Sequence, residues 1–170
     1  EIYIKEHLNN PYVIEPLLLE ISVSDIRIIQ DYIDNKLKSL KNTDAEYQFL
    51  GNIVVKYPSL NKNVTKILLE KYKKCLRGEN NQETYQLMQR IISALSYYEE
   101  DGTILKLIQE SKNQIDMYLL TLNANIRLSK VFSKVFGGNI GEDEKRKMIK
   151  GFVDGNNYNC ILQILKDNKK

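Results

Sequence analysis

The chain contains no tryptophan, one histidine (His7) and two cysteines, Cys75 and Cys160. These scarcities remove most recurrent catalytic and metal chemistries. A Ser-His-Asp or Cys-His system would have to use His7. That residue stands near the start of the chain, far in sequence from both cysteines, and reads as a solvent-exposed side chain. No CxxC, HExxH or EF-hand loop is present, so zinc and calcium have no ligand set. No GxGxxG or P-loop pattern occurs, so nucleotide phosphates have no cradle. The chain is therefore expected to need no cofactor and no metal, and not to be an enzyme.

Breakers are also scarce, with 3 Pro and 8 Gly in 170 residues. A β-sandwich or barrel needs many tight turns, so that composition disfavours one. No apolar run approaches the roughly 18–20 residues that span a bilayer, and no signal-peptide pattern opens the sequence. Charge of one sign is not in large excess. Lys and Arg number 25 against 22 Asp and Glu, a net +3, well short of many nucleic-acid modules. A chain of this size needs no disulfide for stability, so the cysteines read as free thiols in a cytoplasmic or otherwise intracellular setting; a single bridge in a secreted protein is the alternative. The sequence begins at Glu1 without a methionine, which leaves open a processed product or a piece of a larger protein.

What is present is helical periodicity. Asn10-Pro11 reads as an N-cap with Pro at the first helical position, and Pro16 inside that segment predicts a kink or a late start. From Ser24, apolar residues Ile26, Ile29, Ile33, Leu37 and Leu40 recur at three- and four-residue steps. Thr43-Asp44-Ala45-Glu46 fits a capping box, and the helix it opens ends at Pro58. A long helix is expected over 61–77, with Gly78 as a left-handed cap, and another over 82–98. Asp101-Gly102 reads as a turn. Further helices are expected near 103–111, 114–122, 125–136, 142–153 and from 157. The set Ile115, Met117, Tyr118, Leu119, Leu120 and Leu122 is apolar nearly all round, which predicts a buried helix.

These segments recur. Apolar centres near Ile28, Ile67 and Ile104 lie 39 and 37 residues apart, and those near Ile53, Ile91 and Val131 lie 38 and 40 apart. Two interleaved series with one step describe helix pairs stacked in a row, each burying its apolar face on its neighbours. ILKLIQES at 104–111 matches ILQILKDN at 161–168 in the same spirit. The pattern resembles HEAT or armadillo repeats over about residues 10–168. That resemblance implies a single all-α domain over 1–170, with about eight to ten helices in stacked antiparallel pairs forming a short α-solenoid. The alternative is an irregular helical bundle. Tetratricopeptide and ankyrin signatures are absent, as is the NWGR-like signature of Bcl-2-type bundles.

Candidate contact residues fall in two places. On the 61–77 helix, Lys62, Lys66, Lys73 and Arg77 lie within an arc of about 60°, opposite Val64, Leu68, Tyr72, Cys75 and Leu76. This basic stripe fits phosphates or an acidic protein surface. Tyr97-Tyr98 closes a helix beside an acidic turn and offers an aromatic contact. Lys145, Arg146, Lys147 and Lys150 form a second basic patch, diluted by acidic neighbours. The acidic trios Glu99-Glu100-Asp101 and Glu142-Asp143-Glu144 read as surface charge, and Asn63-Val64-Thr65 matches the glycosylation acceptor pattern inside a helix.

The reading that follows is a non-enzymatic scaffold or adaptor that binds another protein, with no membrane span. A nucleic-acid-binding domain using the basic stripe is the second reading. The third comes from ISALSYYEEDGTILKLIQES, residues 92–111. This stretch is similar to the C-terminal HEAT-like region of M1 aminopeptidases, which implies a non-catalytic helical part of a larger enzyme.

Overall fold

The computed structural model describes residues 2–169. Among them the chain forms eleven α-helices, three 3-10 turns and no strand. The helices are α1 (Ile2–His7), α2 (Pro11–Glu20), α3 (Ile26–Lys38), α4 (Asp44–Lys56), α5 (Asn61–Arg77) and α6 (Gln82–Leu95). After these come α7 (Asp101–Ser111), α8 (Met117–Leu122), α9 (Ser129–Gly137), α10 (Glu142–Asp154) and α11 (Tyr158–Asp167). The all-α class expected from periodicity is the one observed.

Side-chain caps set the starts of four helices. The Thr43 hydroxyl accepts from the Glu46 amide at 3.3 Å, and the Glu46 carboxylate accepts from the Thr43 amide at 3.2 Å, completing the box. Asp25, Asn81 and Asp116 cap α3, α6 and α8 by accepting from Arg27, Thr84 and Tyr118 amides. Asp25 thus starts α3 one residue after Ser24. Pro11 occupies the first turn of α2, and that helix runs through Pro16 without a late start.

Four expectations change. Gly78 follows α5 in an extended conformation, φ −86° and ψ −165°, and is no left-handed cap. Among the described residues the left-handed ones are two asparagines, Asn42 (φ 61°) and Asn156 (φ 57°), a conformation asparagine tolerates better than most residues. The 82–98 helix stops at Leu95; the Ser96 hydroxyl donates to the Ser93 carbonyl at 2.7 Å as the chain turns. Asp101-Gly102 opens α7 instead of turning, because extended Glu100 serves as N-cap and Asp101 brings negative charge to the first turn. The 114–122 helix starts only at Met117, after a 3-10 turn at Lys112–Gln114, and the 125–136 segment splits into a 3-10 turn, Ile126–Leu128, and α9.

Helices pack in pairs and in succession. α2 contacts α4, α4 contacts α6, α6 contacts α8 and α8 contacts α10, while α7 contacts α9 and α9 contacts α11. Side-chain hydrogen bonds also tie together helices distant in sequence. Tyr57 donates to the Leu18 carbonyl, 39 residues away. Tyr72 and Ser111 hydroxyls meet 39 apart, Tyr118 donates to Asp154 36 apart, and Asn168 donates to Ser133 35 apart. One core runs through the whole set, from Ile14, Leu18 and Ile33 through Leu50, Leu68 and Ile92 to Phe132, Phe152 and Cys160, all fully buried. Phe132 and Phe152 meet edge to face at 5.6 Å. In α8, Met117, Leu120 and Thr121 are buried, whereas Tyr118, Leu119 and Leu122 are half-buried. Cys75 and Cys160 are both free thiols; burial pushes the Cys160 thiol up to about 11. No helix among the described residues is long and apolar enough to cross a membrane.

Candidate binding surfaces

The basic stripe lies on the open side of α5. Lys62, Lys66, Lys73 and Arg77 are all exposed, and Val64, Leu68 and Tyr72 opposite them are fully buried. None of the four forms an ion pair with another described residue. Lys73 and Arg77 line a cavity of about 290 Å³ together with Leu76, Leu107 and Glu110. The Asn63 amide of the glycosylation-like triplet is turned inward and donates to Asp34 of α3. His7, at the end of α1, is half-buried rather than exposed.

The second basic patch is internally neutralised. Along α10, Lys145 pairs with Glu142 at 3.1 Å, Arg146 with Asp143 at 3.6 Å, Lys147 with Glu144 at 3.1 Å and Lys150 with Asp154 at 2.7 Å. The 142–144 carboxylates are thus engaged one by one with the next turn, the spacing that favours such pairs on a helix. No cluster of potential metal ligands exists among the described residues.

Tyr97 and Tyr98 leave the end of α6 in different surroundings. The Tyr98 hydroxyl meets Thr65 Oγ1 of α5 at 3.0 Å, and burial pushes its phenol up to about 12. Tyr98 thus seals α6 against α5. Tyr97 instead lies in a groove of about 580 Å³ on the α4–α6 side. Its ring rests against Gly51 of α4; a Cβ there would sit 2.6 Å from the ring carbon Cδ2. The guanidinium of Arg127, from the α8–α9 connection, stacks over the same ring with 3.6 Å to the centroid.

The rest of that groove is rich in amides. Gln86, Gln89 and Ser93 come from one face of α6, Gln48 from α4, and Asn123 and Asn125 from the connection after α8. Asn125 is fixed at both ends: its amide donates to Ser93 Oγ at 3.1 Å and its oxygen accepts from the Arg127 amide at 3.0 Å. Gln89 is 4% exposed and donates to the Leu120 carbonyl at 2.6 Å. Its other amide atom, Oε1, has no partner. A buried carbonyl left without a donor is costly, and this one lies beneath the groove wall. Ile126 adds an apolar tip that is 54% exposed.

A third concavity, of about 590 Å³, opens on the other side of α6, between α5 and the α3–α4 connection. Lys41, Lys71, Lys74 and Arg90 converge on it, with Glu83 as the single lining carboxylate. Sequence reasoning singled out Tyr97 among groove residues and none of these four cations. The α5 stripe drew attention to the neighbouring face, and Lys41 and Arg90 join Lys71 and Lys74 only through the fold. Comparison of the chain with protein-family models, with curated proteins and with solved structures gives no match.

Proposed function

We infer that this chain is a non-enzymatic scaffold or adaptor, a helical-repeat domain of HEAT or armadillo type that binds a segment of another protein inside the cell. The observation that carries this reading is the Tyr97 groove. A clamped tyrosine and a stacked arginine are residue types enriched in interface hot spots, and a set of amides lines the groove beside them. Amides that donate and accept suit a peptide backbone better than a phosphate, which only accepts. Successive packing of helix pairs supports the repeat reading by fold-level analogy.

The test is selection of a random-peptide display library on the wild-type domain. Enriched peptides are expected to lose at least about tenfold in affinity on Tyr97→Ala or Arg127→Ala, a change typical of hot-spot truncation. Lys62→Glu, outside the groove, is expected to leave them unchanged. Failure to enrich any peptide, or equal binding to the groove variants, counts against the reading.

The exposed, unpaired state of Lys62, Lys66, Lys73 and Arg77 favours nucleic-acid binding as a second reading. It requires affinity for duplex or single strands that falls steeply with salt and disappears when the four become Glu. Absence of a band shift at low salt removes it.

A further inference from the structure

The basin between α5, α6 and the α3–α4 connection holds positive charge that the protein does not compensate. Four cations line it against one lining carboxylate, Glu83, and Asp44 pairs with Arg90 from outside the lining, so two positive charges stay unbalanced. Lys41 and Lys74 are exposed and form no ion pair with described residues. Lys71 is half-buried and held by a neutral group, donating to Asn42 Oδ1 at 3.3 Å. Arg90 reaches Asp44 through Nε at 2.6 Å and the Asn42 carbonyl through Nη1 at 2.8 Å.

Asn42 organises this convergence. Its backbone is left-handed at φ 61°, its side-chain oxygen takes the Tyr47 hydroxyl at 2.8 Å as well as Lys71, and its carbonyl takes Arg90. One residue thus fixes two cations from two different helices at the rim of one cavity. Like charges held together repel, and the arrangement becomes favourable when an anion enters.

We propose that this basin binds a phosphate monoester group. A monoester carries about −1.5 to −2 charge at neutral pH and three strong acceptor oxygens, which matches two uncompensated positive charges better than a carboxylate does. The cavity volume is within the usual range for ligand sites. Gln86 and Arg90 line both this basin and the Tyr97 groove, so a phosphorylated side chain on a groove-bound peptide can reach it. That peptide-borne source rests on the groove reading; the phosphate site itself does not. The other source is a small phosphorylated molecule.

The test titrates the domain with inorganic pyrophosphate, and with one set of groove-selected peptides made with and without phosphoserine. Pyrophosphate is expected to bind and to slow alkylation of Cys75, which lines the basin. The double variant Lys71→Met, Lys74→Met is expected to weaken binding at least about tenfold, since two charge-assisted hydrogen bonds are lost. Lys62→Met with Lys66→Met removes the same charge outside the basin and is expected to change affinity less than about twofold. Phosphopeptides binding at least about tenfold tighter than both pyrophosphate and their unphosphorylated forms support the partner-borne source. Pyrophosphate binding that phosphopeptides do not exceed supports the small-molecule source. No binding of either probe overturns the proposal, as does equal loss in the two double variants. Failure of Tyr97→Ala to affect the unphosphorylated peptides bears on the groove alone.

Discussion

Replacing Gly151 by alanine is expected to lower the unfolding free energy by about 2–3 kcal/mol, for the addition of one methyl group. Gly151 is buried where α10 crosses α8. A Cβ at this position would lie 2.5 Å from the Tyr118 carbonyl oxygen and 3.0 Å from the Leu122 amide nitrogen, and would overlap Thr121 Oγ1. That hydroxyl is itself tied to the Met117 carbonyl at 2.7 Å. Two of the three obstacles are backbone, so no rotamer change relieves them and the helices must separate. Gly155, four residues on, meets the Leu122 carbonyl in the same way. The pair therefore works as a small-residue stripe that lets two helix backbones approach closely. Alanine's higher helix propensity returns up to about 1 kcal/mol, already included in the expected loss. For a domain of this size the melting temperature is expected to fall by about 4–12 °C. Gly102 is the control. Nothing lies within 4 Å of its would-be Cβ in the first turn of α7, so Gly102→Ala is expected to raise stability by about 0.5–1 kcal/mol. Urea unfolding of the two variants checks both signs. A Gly151→Ala protein as stable as wild type would falsify the close-approach account.

How much of this could be read from the sequence depends on the range of the interaction. The Thr43–Glu46 box, the 61–77 helix and the buried row Val64, Leu68, Tyr72 follow from contacts within one helix, where spacing alone decides the partner. The end of α6 does not, because its apolar period continues past Leu95 while Ser96 bonds back and turns the chain. Gly78 and Asp101-Gly102 mislead for a related reason. Glycine permits a left-handed or turning backbone without requiring one, and the left-handed positions here went to Asn42 and Asn156. The groove was legible at one residue, Tyr97. Gln89, Asn125 and Arg127 carry no motif, and their grouping arises because residues about 30 positions apart face each other across adjacent helices. The basic patch on α10 was legible as far as its dilution by acidic neighbours, since Lys145, Arg146, Lys147 and Lys150 pair with carboxylates three or four residues away on the same helix.

The second large effect is expected at Lys36. Its ammonium lies 2.5 Å from Glu15 Oε1 of α2 and 3.7 Å from Glu46 Oε1 of α4, so one α3 side chain ties three helices. The three side chains are only 11%, 17% and 13% exposed. The Phe49 ring lies 5.7 Å from the nitrogen, and the Tyr32 hydroxyl donates to the same Glu15 oxygen at 2.9 Å. Lys36→Met keeps the packing volume but leaves two nearly buried carboxylates without their cation. Breaking a fully buried pair this way costs about 3–5 kcal/mol; partial exposure reduces the expected loss here to about 2–4 kcal/mol. Lys106–Glu110, at 3.7 Å with side chains 75% and 64% exposed, supplies the contrast, and Lys106→Met is expected to cost less than about 0.5 kcal/mol. Adding Glu15→Gln to Lys36→Met is expected to recover part of the loss, because a neutral amide needs no counter-charge. The effect also reaches the proposed phosphate site. Asn42, which holds Lys71 and Arg90 at the basin rim, sits in the connection between α3 and α4. Loosening α3 from Glu15 and Glu46 is therefore expected to weaken pyrophosphate binding together with stability, with no change to a basin-lining residue. Equal stability of the Lys36→Met and Lys106→Met proteins would remove both expectations at once.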